Sequence, residues 1–248
     1  LRAAEFIGLD NYVELVNDPA FWNAFWNTVL YAAVVTPVTV ILALLFAVML
    51  NQAFFGRTFV RTAIFLPFIV SLGIVAIAWS FLLDPNIGLL SYWLGQIGIV
   101  TEQGWLTDPR FAMPAVMMVG VWKFVGFYMV IYLAGLQSIP ADLYEAARID
   151  GTNAWQRFRS VTVPSIRPAL IVVLTTISTA SLKVFDIVLT MTNGQWNTMV
   201  LANLMFDWMF RGGGDFGRGA SIAVVIMVLV VPIMIWNIRN ATREMKAH

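Results

Sequence analysis

Residues Phe25–Leu50 read FWNTVLYAAVVTPVTVILALLFAVML, 26 residues without an Asp, Glu, Lys or Arg. At about 1.5 Å per residue that run makes a helix about 39 Å long, more than the roughly 30 Å of hydrocarbon in a bilayer. Lipid offers the backbone no hydrogen-bond partner, so a crossing segment of this kind must be helical. Thr62–Leu83, Phe111–Leu136, Pro168–Leu189 and Gly219–Ile238 repeat the pattern, the third and fourth spans carrying charges. The chain reads as an all-α polytopic membrane protein with five spans. Pro37, Pro67 and Pro232 fall inside spans, where neighbouring helices re-satisfy the freed carbonyl and bends are tolerated.

Composition agrees. Of 248 residues 60% are hydrophobic and 12% charged, against about 25% charged in a soluble domain. The net charge of +1 gives no basic excess that would suit nucleic acid. There is no cysteine, and the one histidine is His248, so disulfides, thiolate metal sites and cysteine nucleophiles are excluded. The first residue is Leu1, and no charged region followed by a short apolar core marks a signal peptide.

An odd number of spans puts the two ends on opposite sides, and the Lys and Arg count orients them. Arg57, Arg61, Arg148, Arg157, Arg159, Arg167, Arg239, Arg243 and Lys246 share one side, against Arg2, Arg110, Arg211 and Arg218 on the other. The first side is therefore expected in the cytoplasm. Residues 1–24, with Glu5, Asp10, Glu14 and Asp18, then lie outside, which predicts one further helix upstream and six spans in the intact protein.

Between the third and fourth spans runs a long cytoplasmic connection, residues 137–167, where short connections are the norm. Pro140 and Asp142 open a short helix through Leu143, Tyr144, Glu145, Ala146 and Ala147, and Asp150-Gly151 ends it. Thr152 or Asn153 can cap a second, Ala154–Arg159, before Val161-Thr162-Val163-Pro164 leads back to the membrane. The expected product is an elbow of two short helices.

Glu145-Ala146-Ala147, Gly151 and Val161-Thr162-Val163-Pro164 resemble the EAA loop of ABC-importer permeases, EAA-x3-G-x9-I-x-L-P, with every spacing kept and Val161 and Val163 in place of Ile and Leu. Ile7–Tyr12, Asp18–Trp22, Leu83-Asp84-Pro85 and Ile139-Pro140 look like the carbohydrate branch, most specifically the larger membrane subunit of maltose and α-glucoside importers. The resemblance implies that Leu143, Tyr144, Glu145, Ala146, Ala147, Asp150, Gly151 and Pro164 form a coupling helix and turn seated in a cleft of a separate ATPase subunit. It further implies a single transmembrane domain over residues 1–248, with the helical bundle at 25–238 and a cytoplasmic tail at 239–248. The implied partners are a homologous second permease subunit, two ATPase subunits, an external solute-binding protein and a sugar, in a prokaryotic plasma membrane.

ATP hydrolysis needs a glycine-rich loop ending in Lys and Ser or Thr. The run Arg211–Gly219 contains Gly212-Gly213-Gly214 but lacks that ending, so it reads as a flexible external loop. The chain is expected to be non-catalytic and without a cofactor, ATP and magnesium binding the ATPase partners.

Lys123 falls mid-span, where a charge is costly enough to mark function. Lys183 and Asp186, three residues apart, are expected to share a helix face with Ser181 nearby. With Trp122, Phe124, Phe127 and Tyr128 they offer the aromatic faces and polar groups that a sugar requires. The resemblance likewise implies that these parts of the two helices line the sugar path. Two other readings stay open: a structural ion pair of Lys183 or Lys123 with Asp186, and a charged solute such as a sugar acid or phosphate ester. An ion-coupled secondary transporter would need midplane acids, of which Asp186 is the one available; a membrane enzyme would need a catalytic group set that this chain scarcely supplies.

Overall fold

A computed structural model describes residues 7–99, 103–212 and 214–245 of the protein. Arg2, Glu5, Lys246 and His248 lie outside the described residues, as does Gly213. Among the described residues the regular elements are all helical. They run α1 (Asp10–Asn17), α2 (Pro19–Asn51), α3 (Arg57–Ile69), α4 (Leu72–Leu82), α5 (Leu89–Gln96), α6 (Ala112–Gln137), α7 (Ala141–Ile149), α8 (Ala154–Arg157), α9 (Val163–Ser165), α10 (Arg167–Leu182), α11 (Asp186–Met191), α12 (Leu201–Phe206) and α13 (Phe216–Met245). Two π-helical turns, Phe158–Thr162 and Asp207–Arg211, join α8 to α9 and extend α12.

Among the described residues three helices are long and apolar enough to cross a membrane alone: Pro19–Asn51, Ala112–Gln137 and Phe216–Asn237. The second expected span is a bent pair, and the fourth follows a sharp bend out of the elbow. α3 and α4 meet at 103°, and the helical segment Ala154–Ser165 meets α10 at 70°. At about 1.5 Å per residue, α3 with 13 residues and α4 with 11 are each too short to cross. The expectation of one kinked helix over Thr62–Leu83 is thus corrected: the chain turns at Val70 and Ser71, both extended, just after Pro67. The expected fourth helix over Pro168–Leu189 likewise stops at Leu182 and resumes at Asp186.

The chain divides into two compact units. The first comprises Leu1–Val34, Ser71–Gly120 and Ala180–Pro232, the second Val35–Val70, Val121–Thr179 and Ile233–His248. In the first, Leu15, Phe21, Ala24, Leu201, Leu204 and Ile222 form a buried cluster. Thr28 Oγ1 accepts the Leu201 amide at 2.9 Å, satisfying an N–H that α12 cannot bond internally. α6 starts where Asp108, buried at 2% exposure, accepts the Arg110 amide at 2.9 Å and its guanidinium Nη2 at 2.8 Å. Those bonds hold the Asp108 carboxyl below the usual carboxylate range.

In the second unit the core is built on α6, whose Val125, Met129, Tyr132, Leu133 and Leu136 are buried. Arg61 Nη2 donates to the Leu50 carbonyl at 2.6 Å, setting a cation on the C-terminal end of α2, where the helix dipole is negative. Along the outer side of α2, Ile41, Leu45 and Met49 are exposed, as lipid solvent allows.

Candidate functional site

The elbow forms as two short helices. α7 ends at Asp150, and Gly151 follows at φ +73°, a left-handed conformation that costs an L-residue about 1–2 kcal/mol. The turn is closed by Gly151 N–H to the Arg148 carbonyl at 3.0 Å and Thr152 N–H to the Ala147 carbonyl at 3.1 Å. Asn153, of the two expected caps, starts α8: its Oδ1 accepts the Gln156 amide at 2.9 Å, and Gln156 Oε1 accepts the Asn153 amide at 2.8 Å. This reciprocal box satisfies two orphan donors. Arg157 also donates to the Thr152 carbonyl.

Val161–Pro164 departs from the expected connector, continuing the helix through a π-turn into α9. The wider turn brings Thr162 inward, where its hydroxyl lies 3.0 Å from Tyr144 Oη and ties the two arms of the elbow. Tyr144 is half-buried and Ala147 buried. Leu143, Glu145, Ala146, Asp150, Gly151 and Pro164 are exposed. Ile149 at 86% and Trp155 at 68% exposure extend that surface and escaped the sequence reading, which keyed on the motif letters; their signal was an apolar residue on an otherwise polar pair of short helices.

Lys123 sits one turn before Gly126 on α6. A β-carbon on Gly126 would collide with the Ile64 carbonyl, so glycine lets α3 approach α6 at backbone contact. Phe68 stacks on Phe127 with centroids 4.5 Å apart and meets Phe124 edge-on at 6.3 Å. This docking places the end of α3 over the lysine. Lys123 Nζ donates to the carbonyls of Pro67 at 3.1 Å, Phe68 at 3.4 Å and Val70 at 2.8 Å. An ammonium has three protons to give, and three carbonyls at a broken helix end receive them. The residue is 6% exposed, and its charge lies at the negative end of the α3 dipole. Tyr128 is buried beside Phe127, and Trp122 is 40% exposed.

Lys183 and Asp186 do not share a helix face as expected. Lys183 N–H bonds Ala180 and Val184 N–H bonds Ser181, at 3.2 and 3.3 Å, tightening the end of α10 into i→i−3 turns that stop the helix. Asp186 then opens α11, where a carboxylate suits the positive helix end. Both charged residues are exposed, while Ser181 is buried and its hydroxyl has no partner among the described residues. The broken helix therefore presents Lys183 and Asp186 from an irregular turn.

A model of the binding-protein-dependent transport system inner membrane component family matches residues 16–240. The α-glucoside transport system permease protein of Rhizobium meliloti (strain 1021) is 48% identical over 98% of this chain and 74% of its own length. The trehalose/maltose transport system permease protein of Thermococcus litoralis is 35% identical over 93% of this chain and 78% of that protein. Among solved structures, a chain of a bacterial alginate ABC transporter in complex with alginate pentasaccharide-bound periplasmic protein superposes with a TM-score of 0.84, at 27% identity, over 93% of this chain and 81% of that one. Fold, motif and relatives agree: the chain belongs to the family of binding-protein-dependent transport system inner membrane components, the membrane permeases of ABC importers.

Proposed function

We propose that this chain forms the translocation path for a sugar of the α-glucoside class and is driven by separate ATPase subunits through the α7 elbow. One observation carries the coupling half: an elbow tied by Tyr144 and Thr162 and capped at Asn153 exposes Leu143, Glu145, Ala146 and Ile149 together. Exposed apolar side chains on a charged helix fit a protein cleft better than water. Motion of the ATPases would push this elbow and rock the bundle between outward and inward access. ATP and its magnesium ion bind on the ATPase subunits, and the chain itself breaks no bond in the substrate.

The sugar half rests on the names of the two relatives. The motive for a charged solute was Lys123, whose ammonium is engaged by backbone carbonyls; a neutral sugar fits better. On this reading the sugar-contacting candidates are Trp122, Phe124, Phe127 and Tyr128 in the second unit and, separately, Ser181, Lys183 and Asp186 at the broken helix in the first. The Lys and Arg excess supports an elbow on the cytoplasmic side, and on this reading a second permease subunit and an external binding protein complete the assembly. Uptake of labelled maltose, trehalose and lactose into cells lacking their own importers tests it, on co-expression with the partner subunits. Binding-protein-dependent maltose or trehalose uptake is expected, and ATP-independent, proton-driven uptake would contradict the reading.

A further inference from the structure

The connection after α11 contains a run of left-handed backbone: Asn193 at φ 55°, Gly194 at 74°, Trp196 at 56° and Asn197 at 60°. Glycine and asparagine tolerate that region, but a bulky residue there is an outlier that the surroundings must enforce. The enforcement is visible within the first unit. Asn27 Nδ2 donates to the carbonyls of Asn197 at 3.0 Å and Met199 at 2.9 Å, and Asn23 Nδ2 reaches Asn197 Oδ1 at 2.6 Å. Thr192 and Thr198 join hydroxyls at 2.5 Å, and Arg211 Nη1 holds Asn193 Oδ1 at 2.7 Å.

What this framework presents is a half-exposed indole. Trp196 is 42% exposed, and among the described residues its ring enters no aromatic pair or hydrogen bond. Glycine at 196 would take up the same backbone without strain. The side chains on either side, Asn193, Gln195 and Asn197, are also exposed, so a flat apolar face is bordered by neutral amides. That is the chemistry of a pyranose contact: C–H bonds of the ring lie against the indole, and hydroxyls exchange hydrogen bonds with carboxamides. A charged ligand finds little here, since Arg211 is engaged on Asn193 and Asp207.

We infer that Trp196 and its flanking amides form a carbohydrate-binding subsite on the loop after α11, the strained backbone holding the indole ready for a sugar ring. This rests on the proposed sugar function. Two measurements on the assembled complex test it. In the first, the chain carries 5-fluorotryptophan and the resonance of position 196 is assigned by its loss in Trp196→Phe; maltose, trehalose and lactose are then titrated without the binding protein. The 196 resonance should move with at least one of the three and stay fixed with mannitol. In the second, Trp196→Gly should lower maximal uptake roughly three- to tenfold, the worth of one aromatic contact, with the yield of assembled complex unchanged. A lower yield with unchanged uptake per assembled complex makes the indole structural and overturns the proposal. A resonance that moves with sugar-free binding protein but with no sugar assigns the loop to protein docking and also overturns it. Sugar uptake by the wild type with a silent 196 resonance defeats this inference alone; no uptake of any of the three defeats the α-glucoside reading with it.

Discussion

The ammonium of Lys123 lies 2.8 Å from the carbonyl oxygen of Val70, 53 residues earlier in the chain. Val70 is the residue at which α3 stops and the backbone turns toward α4. A helix end leaves its last carbonyls without partners, and within a membrane no water replaces them. Lys123 supplies the donors, and the same carbonyls, with the end of the helix dipole, offset the cost of burying its charge. Each half of the arrangement accounts for the other.

Lys123→Met keeps the length and removes every proton donor. Three carbonyls lose their partner, and the expected cost is about 3 kcal/mol or more, at about 1–3 kcal/mol per buried unsatisfied group. The yield of assembled complex and its thermal midpoint should both fall. Normal assembly and stability with impaired uptake would move the lysine from helix end to sugar path.

Gly126→Val tests the contact that brings α3 to the lysine. The added side chain meets the Ile64 carbonyl, a rigid backbone atom, so α3 must shift away. Overpacking of this kind costs about 1–3 kcal/mol, and Gly126→Ala should show a smaller loss in the same direction. A thermal midpoint equal to the wild type in both variants would rule out the close approach.

At Gly151 the surroundings are open, with no atom within 4 Å of an added β-carbon, so substitution acts through φ alone. Gly151→Ala should cost about 1–2 kcal/mol locally and tilt the elbow, reducing sugar-stimulated ATP hydrolysis several-fold without loss of membrane insertion. Gly151→Pro, which fixes φ near −65°, should abolish it. Wild-type coupling in the proline variant would mean that the turn does not aim the helix.

Orientation is open to direct labelling because the chain has no cysteine. A cysteine placed at Asp18 or Asp215 should react with an impermeant thiol reagent in intact cells, and one at Arg157 should react after lysis alone. The opposite pattern would invert the topology.

How much of this could be read from the sequence depended on where the determining atoms lie. The span Phe111–Leu136 reappears as Ala112–Gln137 because its apolar composition is local and sufficient. The elbow was legible for the same reason: Asp150-Gly151 and the Asn153–Gln156 box act within a few residues. The breaks were not. Pro67 signalled a bend, but a turn of 103° requires the carbonyls of α3 to find Lys123 on another helix, which no local pattern encodes. The interruption at Lys183–Phe185 has neither proline nor glycine, so the helix reading ran through it and placed Lys183 beside Asp186.

Coupling through α7 is most directly tested by contact. A photo-crosslinking amino acid at Ile149, the most exposed apolar residue of the elbow at 86%, is irradiated in membranes holding the assembled transporter, with the same residue at Ile41 as control. An adduct with the mass of this chain plus one ATPase subunit should form from position 149 and not from position 41. An intact complex that yields no such adduct from 149, or from the neighbouring Ala146, would contradict the docking of this elbow on the ATPase.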